Sequence, residues 1–422
     1  MSSDPKSPAP PSNGWVRLAF VDVFGASNAV VLPSERFADA EREGVVFDGS
    51  ALEGSARSFE SDMRLLPDAS TLVDVAPGVA RVVCTVLAPD GTPWAGDPRT
   101  CLRRVIEELD DLGEAYRVAA ELEFYLVDAD GLPVDTAGYF DDIDALGLEV
   151  TQEAARELLG HGVPVESVHH EAGPGQYEID LAELPALELA DAIVLAKETV
   201  RRVAGASGLA ATFMARPLEH RPGSGLHIHQ RADGQLTDAD GRLTDVGRGF
   251  VAGQLAHARG LAALAAPNVN SYRRLHAGPE APGAAVWAHH SRGALLRVSS
   301  DLGAAATIEF RGADPLANPY LLLAGLLLTG AAGVADGLEL EAPSEESFGG
   351  YDPAAHHTTR YDPLPRSLDE ALDALTADDV LVDGLDGTLI SRLVDGRRAE
   401  AEDYRSHVTR WELDRYFEGG AG

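Results

Sequence analysis

The stretch HHEAGPGQYEID, residues 169–180, sets two glutamates on either side of a Gly-Pro-Gly kink. Glu171 and Glu178 stand seven positions apart, behind paired histidines, and YEIDL beyond the kink reads as a strand. A surface loop can carry such residues without chemical purpose. Two carboxylates bracketing so rigid a turn acquire a purpose only if other groups converge on them.

Three further strand-like segments carry functional groups at spacing two: Glu121 and Glu123 in ELEFYL, His227 and His229 in LHIH, Glu309 and Arg311 in IEFR. Residues i and i+2 of a strand share a face, so each pair aims two polar groups at one place while Leu122, Ile228 and Phe310 face the other way. One such segment is ordinarily a solvated strand face. Three, each beside a glycine-rich turn, predict a site holding Glu121, Glu123, Glu171, Glu178, His227 and Glu309. Five carboxylates cannot share a pocket without cations to offset their repulsion. Oxygen ligands with one imidazole suit Mg²⁺ or Mn²⁺ rather than zinc, and six ligands suit two such ions with open positions for phosphate and water. Arg274, Arg292, Arg297 and Arg311 lie in nearby segments, and clustered guanidinium groups bind phosphate or carboxylate in bidentate fashion. Metals with arginines imply phosphoryl transfer, although for any one arginine alone a structural salt bridge is the better reading.

The bulk composition narrows the class. With 68 acidic against 34 basic residues, the formal charge of −34 repels nucleic acid and anionic membrane and favours cationic small molecules. Cys84 and Cys101 are the only cysteines, in no metal-like spacing. The start, MSSDPKSPAPPSNG, lacks the apolar core of a secretory signal and reads as a disordered tail over residues 1–14. The apolar uncharged run Leu321 to Ala335 is too short and too glycine-bearing for a membrane span, so a cytoplasmic enzyme or binding protein is expected.

Short strand-like runs from Trp15 to Val86, with one helical patch at SERFADAERE, predict a small, mostly antiparallel sheet domain over residues 15–96. PDGTPWAGDPRT marks its end, and residues 97–422 alternate strands with long helical patterns as a second domain. Neither a Walker-type loop nor a GxGxxG fingerprint is present.

FDGSALEG, ELEFYL, HHEAGPGQYEID, PGSGLHIH, NSYRRL, EAP, IEFRGADPLANPY and RWEL resemble, in order, the motifs of the type I glutamine synthetase family. The resemblance runs from Trp15 almost to the C-terminus. It implies an α+β fold: an N-terminal β-grasp-like domain, then a catalytic domain whose antiparallel strands form a half-barrel surrounded by helices. It also implies a dodecamer of two stacked hexameric rings with active sites shared between neighbours. By that resemblance Glu123, Glu171 and Glu178 hold one divalent metal, and Glu121, His227 and Glu309 the other. Arg274, Arg311 and Gly223 belong to the glutamate site, His229 and Arg297 to the ATP site, and Arg292 to the phosphate groups. Glu280 resembles the flap glutamate, and Asp48 the residue a neighbouring subunit lends to the nitrogen-acceptor pocket. His169 and His170 receive no ligand role, one of them being read as a packed histidine.

The implied reaction phosphorylates the side-chain carboxylate of glutamate with ATP and passes the acyl group to an amine. Departures from the family pattern fall at the acceptor and nucleotide edges. Ala51 stands where many members have a second serine, Pro222 replaces the asparagine of NGSG, and LHAGPEAP replaces LVPGYEAP with Pro279 for a tyrosine. Thr307, His290 and Arg231 are further changes. FDGSALEGSARSFESDM and ATFMARP also resemble the actinobacterial paralogues that join glutamate to polyamines or other amines. A lost hydroxyl and a smaller flap residue would admit an alkyl amine, so a γ-glutamyl–amine ligase is the favoured expectation, with ammonia-using glutamine synthetase as the alternative. A non-catalytic nitrogen sensor predicts eroded metal ligands, which are intact here. Tyr351 and Tyr361 match poorly the tyrosine loop of nucleotidylated members.

Overall fold

The computed structural model describes residues 9–52, 62–141, 145–232, 234–276, 280–299, 303, 305–346 and 361–417. Most of the expected tail therefore lies outside the described residues, as do Pro279 and Tyr351. The first sheet comprises β1 (Trp15–Val21), β2 (Ser27–Pro33), β3 (Val45–Asp48), β4 (Asp62–Pro67), β5 (Val73–Ala76) and β6 (Val79–Leu87), with α1 (Phe37–Glu43) before β3. Its order is β2-β1-β6-β4-β3, with β5 also on β6. The pairs are antiparallel except β1 with β6, so the sheet is mixed rather than purely antiparallel. Strand β4 was not among the expected strands, yet DMRLLP alternates: Met63 and Leu65 are buried while Asp62 and Arg64 face out. Val16, Leu18, Phe20, Met63, Leu65, Val82 and Val86 close this domain's own core.

After Leu87 the chain enters α2 (Pro98–Glu108), where Asp97 caps the N-terminus by accepting the Arg99 N–H and Pro98 occupies the first turn. The second sheet is built on β7 (Tyr116–Val127), flanked by β8 (Val165–His170), β9 (Gln176–Pro185), β10 (Ala210–Thr212), β11 (Leu226–Ala232), β12 (Trp287–Ala288), β13 (Leu296–Val298) and β14 (Ile308–Phe310). The order is β12-β13-β14-β11-β7-β9-β8, with β10 on the edge of β7. Helices cover it: α3 (Asp110–Ala115), α4 (Leu146–Gly160), α5 (Ala186–Ala206), α6 (Asp245–Ala256), α7 (Ala258–Ala265), α8 (Ser271–Leu275) and α9 (Pro319–Ala335). GRGFVAGQLAHARGLAALAAP reads as one long helical pattern, and it breaks at His257, whose Nδ1 lies 2.8 Å from Asp378. The uncharged run Leu321–Ala335 forms most of α9, buried on nearly all sides. Among the described residues no helix is long and apolar enough to cross a membrane. Both cysteines are buried free thiols.

The two sheets are tied by ion pairs rather than apolar contact alone. Arg81 of β6 meets Glu198 of α5 at 2.9 Å, and Arg99 meets Asp191 of α5 at 2.8 Å and Asp68 at 2.9 Å. Both arginines are 4% exposed, so loss of one partner would strand a buried charge.

Candidate active site

Strand register assembles the site. Glu123 of β7 lies opposite Glu178 of β9, which lies opposite His169 of β8. Two residues along, Glu121 stands between His227 of β11 and Asp180 of β9. His229 pairs with Glu309 of β14, and Glu309 with Arg297 of β13. The two-residue period puts all these groups on one face, over the apolar row of Leu122, Ile179, Ile228 and Phe310.

They open on a cavity of about 390 Å³ whose walls include Glu121, Glu123, Glu171, Glu178, His227, Glu280, Arg292, Arg297 and Arg311. Among the described residues three larger cavities, about 970, 960 and 450 Å³, contain none of the candidate residues, so charge rather than size marks this site. Asp48 does not line it. That carboxylate is exposed at the end of β3, accepting from Ser50 N at 3.0 Å and Ser50 Oγ at 2.6 Å.

Each carboxylate is held by polar partners, and Glu123 alone of the next three keeps one oxygen free of hydrogen bonds. Glu123 Oε2 accepts from Gly225 N at 2.9 Å and Gln176 Nε2 at 3.0 Å. Gln176 also donates to Gly223 O at 3.1 Å, binding the Gly-Pro-Gly turn to the PGSG loop. Glu121 meets His227 Nδ1 at 2.7 Å and His229 Nε2 at 2.8 Å. Glu309 is fully buried between Arg297 and Arg311. Arg274 threads past the glycines. A Cβ on Gly223 would stand 2.8 Å from its Cγ, and one on Gly225 would stand 2.6 Å from its Nη2 and from His227 Nε2.

The kink itself is fastened from outside. Asp135 accepts from Gly175 N at 2.8 Å and Tyr177 Oη at 2.5 Å, and contacts His170 Nε2 at 3.0 Å. Gly175 has φ +70, a conformation glycine adopts without cost. His170, 2% exposed, is the packed histidine.

The electrostatics divide the site in two. Burial and then the charges of Glu123, Glu121 and Asp180 push Glu178 far up, and burial with Glu123 pushes Glu171 up. Burial would raise Glu121 as well, but hydrogen bonds with His227 and His229 hold it low. Burial of Glu309 is likewise outweighed by Arg311 and the two histidines. One side of the cavity is thus a carboxylate cluster short of positive charge, and the other is balanced.

Among the described residues two donor groups meet within 4.8 Å: Glu121, His229 and Glu309, and His169, Glu178 and Asp180. The first differs from the expected set by having His229 in place of His227, although His227 Nδ1 stays 3.9 Å from Glu309. The second brings in His169 and Asp180. Asp180 was legible as the i+2 neighbour of Glu178. The oxygen-rich donors and unbalanced charge fit hard divalent cations. Tyr139, also missed, lines the cavity with Arg292; it lies in a loop that no periodicity marks.

Residues 13–89 match the glutamine synthetase beta-Grasp domain, and residues 95–416 the glutamine synthetase catalytic domain. The chain belongs to the glutamine synthetase family, and it is an ATP-dependent ligase. The glutamine synthetases of Thermus thermophilus, Mycobacterium tuberculosis and Methanococcus maripaludis are 38%, 37% and 36% identical to it, each over 95% of this chain and 95%, 95% and 96% of their own. The structure of the GmaS/ADP complex superposes with a TM-score of 0.86 at 28% identity, covering 96% of this chain and 97% of that one. Apo GmaS gives 0.85 at 29% identity, covering 96% of each.

Proposed function

We propose that this ligase joins the γ-carboxyl of glutamate to a polyamine or other small amine through γ-glutamyl phosphate. The carrying observation is the contrast between a phosphoryl-transfer cavity lined by carboxyl groups and arginines and an acceptor edge where Ala51 stands beside Asp48 with no hydroxyl to offer. Glu123, Glu171 and Glu178 would hold one divalent cation and Glu121, His227 and Glu309 a second, with His229 and Asp180 within reach. Bound there, such ions neutralise charge on the phosphoryl oxygens.

Arg274, Arg311 and the Gly223 backbone receive glutamate, while His229, Arg297 and Arg292 face ATP and its phosphates. A glutamate side-chain oxygen attacks the γ-phosphorus and ADP leaves. The amine nitrogen then attacks the acyl carbon and phosphate leaves. Glu280 and Asp48 accept the amine's protons. Because Asp48 is exposed and away from its own chain's cavity, a neighbouring copy supplies it, which supports a dodecamer of two hexameric rings. Light scattering of the purified protein checks that assembly, and a cytoplasmic location belongs to the same proposal.

Tyr361 is no exposed modification site: its hydroxyl lies 3.0 Å from Ser344 Oγ. The second reading, glutamine synthesis from ammonia, is favoured by the relatives at 36–38% identity that carry that name. Phosphate release with glutamate, ATP and Mg²⁺, with products weighed by mass spectrometry, separates the two. Turnover with putrescine, spermidine or ethanolamine above that with ammonium supports the amine ligase; strong turnover with ammonium alone rejects it.

A further inference from the structure

Between the first sheet and α5 lies a cavity of about 970 Å³ that shares no lining residue with the catalytic one. Lys197 of α5 and Asn268 form its buried end, and Arg17 of β1 and Arg201 of α5 its exposed rim. Val75, Val79, Val194 and Leu316 add apolar wall.

The carboxylates of this wall are already paired. Glu198 accepts from Arg81 Nε at 2.9 Å and from Ser27 Oγ, and Glu400 accepts from Arg397 Nη1 at 2.5 Å. Among the described residues no carboxylate lies within 4 Å of the Lys197, Arg17 or Arg201 cation. Arg201 instead lies over the Phe213 ring, 4.8 Å from its centre. In a chain of net charge −34, three such cations around one cavity reverse the local sign.

Lys197 is the sharpest case. It is 6% exposed, and its one hydrogen bond among the described residues goes to Pro315 O at 3.0 Å, although an ammonium has three donors. Burial lowers it to about 8, so it is still a cation at neutral pH. A buried ammonium held by one neutral carbonyl is costly until an anion joins it. Beside it in the wall, Asn268 Oδ1 accepts the N–H groups of Asn270 at 2.9 Å and Ser271 at 3.2 Å. That commits the amide's orientation and leaves Nδ2 as a donor without a partner among the described residues.

We propose that this cavity binds a small dicarboxylate. One carboxylate meets Lys197 Nζ and Asn268 Nδ2 at the buried end, the other meets Arg17 and Arg201 at the rim, and the methylenes lie on the apolar wall. A phosphate ion has no second anionic group for the far end.

Isothermal titration calorimetry of the full chain with glutarate, at pH 7, tests it. Glutarate should bind the wild type, Lys197→Met should weaken binding at least about tenfold, and Arg201→Ala about threefold. Inorganic phosphate should bind at least about tenfold more weakly than glutarate. Glutarate also resembles glutamate, so Arg311→Lys reports on the catalytic cavity and should leave its affinity within about twofold. No binding to the wild type, equal affinity in Lys197→Met, phosphate binding as tight as glutarate, or binding lost in Arg311→Lys alone would each overturn the proposal. Should Lys197→Met not fold, the Arg17→Ala, Arg201→Ala double variant takes its place, with about tenfold weaker binding expected and no change refuting.

Discussion

Replacing Glu171 by glutamine removes one charge from the carboxylate cluster with almost no change of shape. Burial, then the Glu123 charge, raises the Glu171 carboxyl from 4.5 to about 8. A group whose pKa is raised on folding contributes stability that is whole below its unfolded value and is lost as pH climbs through the folded value. Stability should therefore fall between pH 4.5 and about 8 when no divalent cation is bound. By pH 7 roughly two and a half units have been crossed, worth about 3 kcal/mol. Glutamine cannot ionise, and its carbonyl can still accept the Ala172 N–H that Glu171 Oε2 now takes at 2.7 Å. Urea denaturation in chelator over a pH series should find Glu171→Gln up to about 3 kcal/mol more stable than wild type at pH 7 and equal to it near pH 4. Free Mg²⁺ at a hundredfold excess over its Kd should stabilise the wild type by about 2.7 kcal/mol and the variant far less. Turnover of the variant should fall at least about a hundredfold. Identical pH slopes of stability for the two proteins in chelator would refute the like-charge account.

Gly225→Ala should cost about a hundredfold in turnover with little change in melting temperature, because its Cβ would press within 2.6 Å of Arg274 Nη2 and His227 Nε2. Asp135→Ala removes the bond to Gly175 in the Gly-Pro-Gly turn and two to its flanks, leaving His170 Nε2 and Tyr177 Oη unpaired, a loss of about 2–4 kcal/mol readable by thermal denaturation together with reduced activity. Burial lowers the Lys197 ammonium from 10.5 to about 8, so its cost is full below that value and relieved as pH rises to 10.5. Wild-type stability should rise by about 3 kcal/mol across that window, and Lys197→Met should abolish the rise in denaturation curves taken at pH 7 and pH 10.

Local pattern carried much of this protein. The two-residue period in ELEFYL, LHIH and IEFR told which side chains share a face, because strand geometry leaves only two faces to choose from. Acidic excess inside an apolar pattern, with arginines nearby, told that cations and phosphate chemistry belong together there. The same pattern held β4 and Asp180, both overlooked although the alternation was present.

What the sequence could not decide depends on contacts between distant segments. That His229 as well as His227 reaches Glu121 follows from the register of β11 on β7, set by long-range pairing. The parallel placement of β1 beside β6 is likewise a choice of topology that neither strand encodes alone. Asp135 and Gln176 act through partners up to 53 positions away, and their spacing carries no periodic signal. The sequence by itself determined the class of chemistry, since residue type and local period suffice for that. Only the tertiary structure decided which oxygen each donor holds and which remains free, because hydrogen bonds of about 3 Å are fixed by the packing of whole elements and not by any single segment.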